Sequence, residues 1–186
     1  MTSDLKHLTY DVYLAMPEMM ARYSIIDGEL VMAAAPTLNH QRIILELALK
    51  LTPFVREHQI GEVFIAPCDI VIRREPLRTR QPDLMFISHE RRAIMTPQVV
   101  EGGPDLVIEI LSPSNTHREL LERFGDYQTV GVREAWVIAP QGWTVEVLQL
   151  SPERIERLGL YGLGDTIASQ VLPDLHLTVD EIFPEL

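Results

Sequence analysis

Two acidic residues in this chain adjoin apolar runs: Asp83 follows Pro82 at the start of DLMFIS, and Glu109 lies inside the apolar run of GGPDLVIEILSPSN. Both stretches have the β-branched and aromatic content of strands, and GGP and SPSN bracket the second with turn residues. On a strand, alternate residues share a face, so Asp105, Val107, Glu109 and Leu111 point the same way, placing Glu109 on a partly apolar surface. A carboxylate removed from water is costly unless a cation or hydrogen bonds compensate it. Two readings follow. In the first, Glu109 pairs with a buried arginine or caps a backbone amide, while Asp83 merely ends a turn after Pro82. In the second, the two acids lie on neighbouring strands and share a divalent cation. Mg2+ suits the second reading because it prefers hard oxygen ligands and takes one or two carboxylates, completing its shell with water and phosphate.

Other residues could serve such a site. His40 opens a helical stretch, where a histidine can cap or pack, and close to Asp83 it could bind a phosphate oxygen or shuttle a proton. From Arg73 to Arg92 six arginines (73, 74, 78, 80, 91 and 92) outnumber three acids (Glu75, Asp83 and Glu90), a local charge of +3 in a chain of formal net charge −11. That segment reads as a solvated hairpin loop, or as a patch able to hold a polyanion. Glu29 and Asp69 read as structural, and His117 and Glu119 as caps of the second long helix.

The elements that must position these groups are legible in outline. TYDVYLAMPEM predicts a short helix ending near Pro17. RYSIIDGELVM predicts a hairpin turning at Asp27-Gly28. Thr37 or Asn39 caps a first long helix whose stripe is Ile43, Ile44, Leu47, Leu51 and Phe54, with Pro53 late enough to bend rather than abolish it. GEVFIAPCDIVIRR, QPDLMFIS and DLVIEILS follow as strands. Thr116-x-x-Glu119 forms a capping box for a second long helix, with Leu120, Phe124 and Tyr127 on one face and a stop at Gly131. EAWVIAP, TVEVLQL and RIERLGLY complete a meander, and TVDEIFPEL predicts a short closing helix. The order implies an α/β fold of α+β character, a mixed β-sheet flanked by helices, in a single domain over residues 1–186.

Composition narrows the function. One cysteine, Cys68, leaves neither an intramolecular disulfide nor a cysteine-rich zinc site. No apolar run reaches the roughly 20 residues of a membrane span and MTSDLKHLTY is not laid out as a secretory signal, so a soluble cytoplasmic protein is expected. The net charge of −11 argues against a generic nucleic-acid coat. Exposed strand edges make a homodimer the expected assembly.

The ordered blocks IIDGELV, APTLNH before a helix, QPDLMFIS, PDLVIEILSPSN, DYQTVGV on a helix and REAWVIAP resemble the Uma-type family, a branch of the PD-(D/E)XK restriction-endonuclease-like superfamily. The resemblance spans about residues 8–150. It implies a restriction-endonuclease-like sheet and Mg2+-dependent hydrolysis of DNA phosphodiesters, with Mn2+ as a substitute ion. It places Asp83 and Glu109 as metal ligands, with His40 and Arg123 in the catalytic set. The superfamily lysine belongs two residues after the second acid, where this chain has Leu111; in the Uma-type pattern it moves to the following helix, where this chain has Arg123. Arginine keeps its proton, so Arg123 can stabilise negative charge on a phosphorane but cannot act as general base. Ser24 replaces the usual glutamate before the Asp-Gly turn, and Ala139 the aspartate of a Trp-x-x-Asp-Pro block. These departures leave a second reading, a catalytically degenerate nuclease-fold dimer that binds nucleic acid or regulates. A third, a small-molecule binder or structural protein, would enclose a salt-bridged Glu109 with no cleft. The nuclease reading requires the two acids to converge in a water-accessible hollow.

Overall fold

A computed structural model describes residues 7–183, except 18, 20 and 114. Six strands form the central sheet: β3 (Gly61–Ile65), β6 (Leu84–Ser88), β7 (Leu106–Ile110), β8 (Glu134–Ala139), β9 (Thr144–Leu150) and β10 (Ile155–Tyr161). Their order is β10-β9-β8-β7-β6-β3. Only β7 and β8 run parallel, and helix α3 (His117–Thr129) makes the crossover that a parallel pair requires.

Alternation along the strands separates two cores. On one face Leu84, Phe86, Leu106, Ile108, Trp136 and Ile138 pack against helix α2 (Leu38–Glu57) and the C-terminal segment around Leu172–Ile182. On the other, Met85, Ile87, Val107, Ala135 and Val137 pack against Phe124 and Tyr127 of α3. Glu109 shares the parity of Val107, which puts it on the α3 face, while Asp83 stands just before β6, where Arg22 and His40 of α2 reach it. Gly103 lets the entry to β7 touch the exit of α3: a Cβ there would lie 2.4 Å from the Gly131 carbonyl carbon.

Two hairpins lie beside this sheet. β1 (Tyr23–Ile26) and β2 (Glu29–Met32) turn at Asp27 and Gly28, whose φ angles of 51° and 87° are those of a primed hairpin turn. β4 (Ile70–Arg74) pairs with β5 (Leu77–Arg80). A third apolar cluster, Tyr13, Tyr23, Ile25, Val71 and Leu77, joins both hairpins to the short helix α1 (Tyr10–Leu14).

Several expectations need correction. GEVFIAPCDIVIRR is not continuous strand, since Ala66–Asp69 separate β3 from β4, and β4 joins a different sheet. The arginine-rich stretch is therefore mostly strand, not solvated loop. In α2, capped by Thr37, the buried stripe is Ile43, Ile44, Leu47, Leu51 and Val55, with Phe54 only partly covered; a four-residue step from Leu51 stays closer to the axis of the stripe than a three-residue step. The closing helix is one 3-10 turn, Val179–Glu181, and residues 184–186 lie outside the described residues. The capping box at Thr116 and Glu119 forms as expected, whereas His117 is the first helical residue and makes no capping bond.

Candidate active site

Antiparallel register brings the acids together. Leu84 pairs with Ile108 at the end of the β6–β7 ladder, and Asp83 and Glu109 are the next residues of the two strands, close enough that the charge of Asp83 acts on Glu109. The Asp83 amide donates to the Ile108 carbonyl at 3.1 Å, and Asp83 Oδ2 accepts the Ile110 amide at 2.7 Å. A side chain fixed by its neighbour's backbone has little rotational freedom.

Each acid has its own cation. The Arg22 guanidinium, just before β1, stands 2.5 Å from Asp83 Oδ1, and His40 Nε2 of α2 is 3.3 Å from the same oxygen. Neither contact has hydrogen-bond alignment, and Asp83 Oδ1 remains a buried atom without a hydrogen-bond partner. Arg123 donates to Glu109 Oε2 and the Tyr127 hydroxyl to Glu109 Oε1, each at 2.5 Å. Arg123 and Tyr127 are four residues apart, so one face of α3 presents both to the carboxylate.

The two environments push the acids apart. Burial raises the Asp83 carboxyl, but His40, Arg22 and the Ile110 amide outweigh it and hold it below the ordinary range. Burial raises Glu109 as well, Asp83's charge adds to that, and Arg123 with Tyr127 does not cancel it. Glu109's own charge in turn raises Arg123, which stays protonated.

The structure thus brings together all four residues expected at the site, Asp83, Glu109, Arg123 and His40. It does not supply the open hollow: both acids are enclosed and Glu109 is salt-bridged to Arg123, the arrangement expected of the small-molecule or structural reading, so access to the pair requires an arginine to move aside. Both acids are 1% exposed, roofed by arginines and by Tyr127. A cavity of about 430 Å3 lies at the other end of β6, lined by Phe54, Phe86, Ser88, Asp105 and Arg133. No cluster of three or more metal-ligating His, Cys, Asp or Glu side chains occurs among the described residues. Two carboxylates from adjacent strands, one with an unsatisfied oxygen, still fit an ion that keeps most of its shell as water and phosphate.

Sequence reasoning missed Arg22. It precedes a hairpin in an unremarkable context, and nothing in its spacing points to Asp83. Tyr127 was legible as a core position, and its four-residue spacing from Arg123 was the signal for its second role. Asp69 is structural, as expected: its Oδ2 accepts from Tyr13, Tyr23 and Gln81. Glu29 is exposed on β2. Ala139 ends β8 on the face that carries Glu109, two residues past Val137, so the position expected to hold an acid supplies none.

The arginine-rich stretch is not a free cationic surface. Arg78 and Arg80 are buried and share Asp126 and Glu122 of α3. Arg73 pairs with Asp27 and Arg74 with Glu101. Arg91 donates to the Gly103 and Gly131 carbonyls.

Comparison with known proteins agrees with this architecture. Residues 10–180 match the Uma2 family model, described as "Putative restriction endonuclease". The Synechocystis sp. protein "Uncharacterized protein sll1609" is 28% identical over 137 residues, covering 73% of this chain and 76% of that protein. A crystal structure from Anabaena variabilis described as "a putative nuclease" superposes with a TM-score of 0.75 at 20% identity, covering 95% of this chain and 97% of that one, and so shares the fold.

Proposed function

Because the chain belongs to the Uma2 family of restriction-endonuclease-like proteins, we propose that it is a Mg2+-dependent endonuclease hydrolysing DNA phosphodiester bonds, with Asp83 and Glu109 as the metal-holding pair. One observation carries this reading: two carboxylates meet at the same end of adjacent strands, close enough that the charge of Asp83 acts on Glu109, and one of them has an oxygen that the protein leaves without a hydrogen bond. A bound Mg2+ would lower the pKa of a coordinated water and neutralise charge on the scissile phosphate. The chain's residues supply the rest. Asp83 is held ionised and aimed by the Ile110 amide, and Tyr127 with Arg123 fixes Glu109. Arg123 presents a permanent positive charge to the negative charge that develops on phosphorus. His40 lies close enough to Asp83 to contact a phosphate oxygen bound there.

Plasmid nicking tests the assignment. Asp83→Asn and Glu109→Gln each keep the shape and remove the charge, and each lowers Mg2+-dependent nicking by about a hundredfold or more. EDTA abolishes it in the wild type, and Mn2+ restores it. Undiminished nicking in both variants overturns the assignment.

The arginines favour one competing reading. Arg22 and Arg123 already neutralise both acids, as they would in a nuclease fold that has lost its chemistry and serves as a nucleic-acid-binding or regulatory module. Plasmid that stays intact with the wild type under Mg2+ and Mn2+ supports that reading. A homodimer suits either one. Leu38, Leu45 and Leu49 are exposed on the outer side of α2, an apolar stripe that a second copy would cover, and light scattering would report its mass. No described helix is long and apolar enough to cross a membrane.

A further inference from the structure

Among the described residues, six buried side-chain nitrogen or oxygen atoms have no hydrogen-bond partner, and four of the six belong to the acid site: Arg22 Nε, His40 Nδ1, Asp83 Oδ1 and Arg123 Nε. Buried polar groups are nearly always satisfied, so this concentration marks a place built for something else to contact. The unmet atoms are of two kinds. The carboxylate oxygen calls for a cation, and the arginine nitrogens, with the histidine nitrogen in one tautomer, call for an anion.

Charge leads to the same conclusion. Asp83 and Glu109 are balanced by Arg22 and Arg123, so the cluster is formally neutral. A divalent cation entering alone would leave a buried excess of positive charge, and a phosphate entering alone an excess of negative charge. Either is costly away from water. Entering together they largely cancel. Arg22 is the residue placed to link the two events, because it stands against the same Asp83 oxygen that the cation needs.

We propose that this site takes a divalent cation and a phosphate group as a pair, and that Arg22 couples them: it leaves Asp83 Oδ1 when the cation arrives and turns its guanidinium to the phosphate. The inference rests on the endonuclease reading and names a residue and a binding linkage that the reading does not require. Arginine suits the exchange, since its planar fork matches carboxylate and phosphate oxygens alike. Linkage is reciprocal, so phosphate must tighten the cation by the factor by which the cation tightens phosphate.

Calorimetry with Mn2+, with and without thymidine 5′-monophosphate, tests this on the wild-type protein and on Arg22→Gln and Arg22→Lys. In the wild type the nucleotide tightens Mn2+ binding about tenfold. Arg22→Gln leaves the cluster with net negative charge, so it binds Mn2+ alone more tightly than the wild type does, and the nucleotide no longer improves binding. Arg22→Lys keeps the charge and protects folding; it binds Mn2+ alone like the wild type but loses most of the coupling with the fork. Coupling as large in the folded variants as in the wild type overturns the role of Arg22 while leaving the metal site standing. Failure of the wild type to bind Mn2+ under either condition overturns both the linkage and the metal-holding pair.

Discussion

At the scale of single residues, the site holds two carboxyls in opposite states of readiness. Glu109 is held above its ordinary value of 4.5, first by burial and then by Asp83. The native protein therefore binds that proton more tightly than the unfolded chain, and this group's contribution to stability falls as pH rises from 4.5 through the native value. Glu109→Gln carries no such proton. The difference in Tm between this variant and the wild type should shift in the variant's favour as pH rises above 4.5, and a difference that stays constant with pH would contradict the assignment. Asp83 has the opposite sign. Held below its ordinary value of 3.8 despite burial, by His40 and Arg22, it stabilises the protein above that pH and loses the contribution as pH falls through its native value. Asp83→Asn should therefore cost more at pH 7 than at pH 3 in a denaturant titration. Divergent carboxyls on adjacent strands are the pattern expected of a site in which acids play different roles.

At the scale of elements, the site depends on how α3 and the β4–β5 hairpin meet. Arg78 and Arg80 project from β5 and converge on Asp126, whose side chain is 13% exposed, while their second partner, Glu122, is 44% exposed. Asp126→Ala strands two buried guanidiniums and should cost about 3 kcal/mol. Glu122→Ala removes a solvated partner and should cost less than about 1 kcal/mol. Urea unfolding of the two variants separates these outcomes, and equal losses would contradict the clamp. The clamp also shows where sequence reading stopped. Helix α3, its capping box and the strands β7 and β8 on either side of it follow from local patterns, because caps and periodicity are encoded within a few residues. So does the placement of the two acids on neighbouring strands, β6 being entered at Asp83 and β7 carrying Glu109. The parallel pairing of β7 and β8 was not read from the sequence. The burial of Arg78 and Arg80 was not legible, since a run of arginines looks the same whether its counter-charges come from solvent or from a helix more than forty residues further on. Arg22 escaped for the same reason: its partner lies sixty-one residues away, and no spacing announces it.

At the scale of the whole molecule, net charge and patterning determine how the proposed DNA substrate could be held. The protein carries −11 overall, and the arginines of residues 73–91 are spent on internal partners. Little basic surface is left for sequence-independent affinity, which comes from neutralising phosphates. In EDTA, a fluorescein-labelled duplex should bind more weakly than about 100 µM, and Ca2+ should strengthen binding without cleavage. Tight, salt-sensitive binding in EDTA would show a phosphate-holding surface outside the acid site. The proposed function makes the acid pair the metal-holding centre, and an anomalous diffraction map of a crystal soaked in Mn2+ and thymidine 5′-monophosphate examines it most directly. A manganese peak between the Asp83 and Glu109 carboxylates, with the Arg22 guanidinium turned from Asp83 to the phosphate, is the predicted result. A map with no peak there, and Arg22 still paired with Asp83, would contradict it.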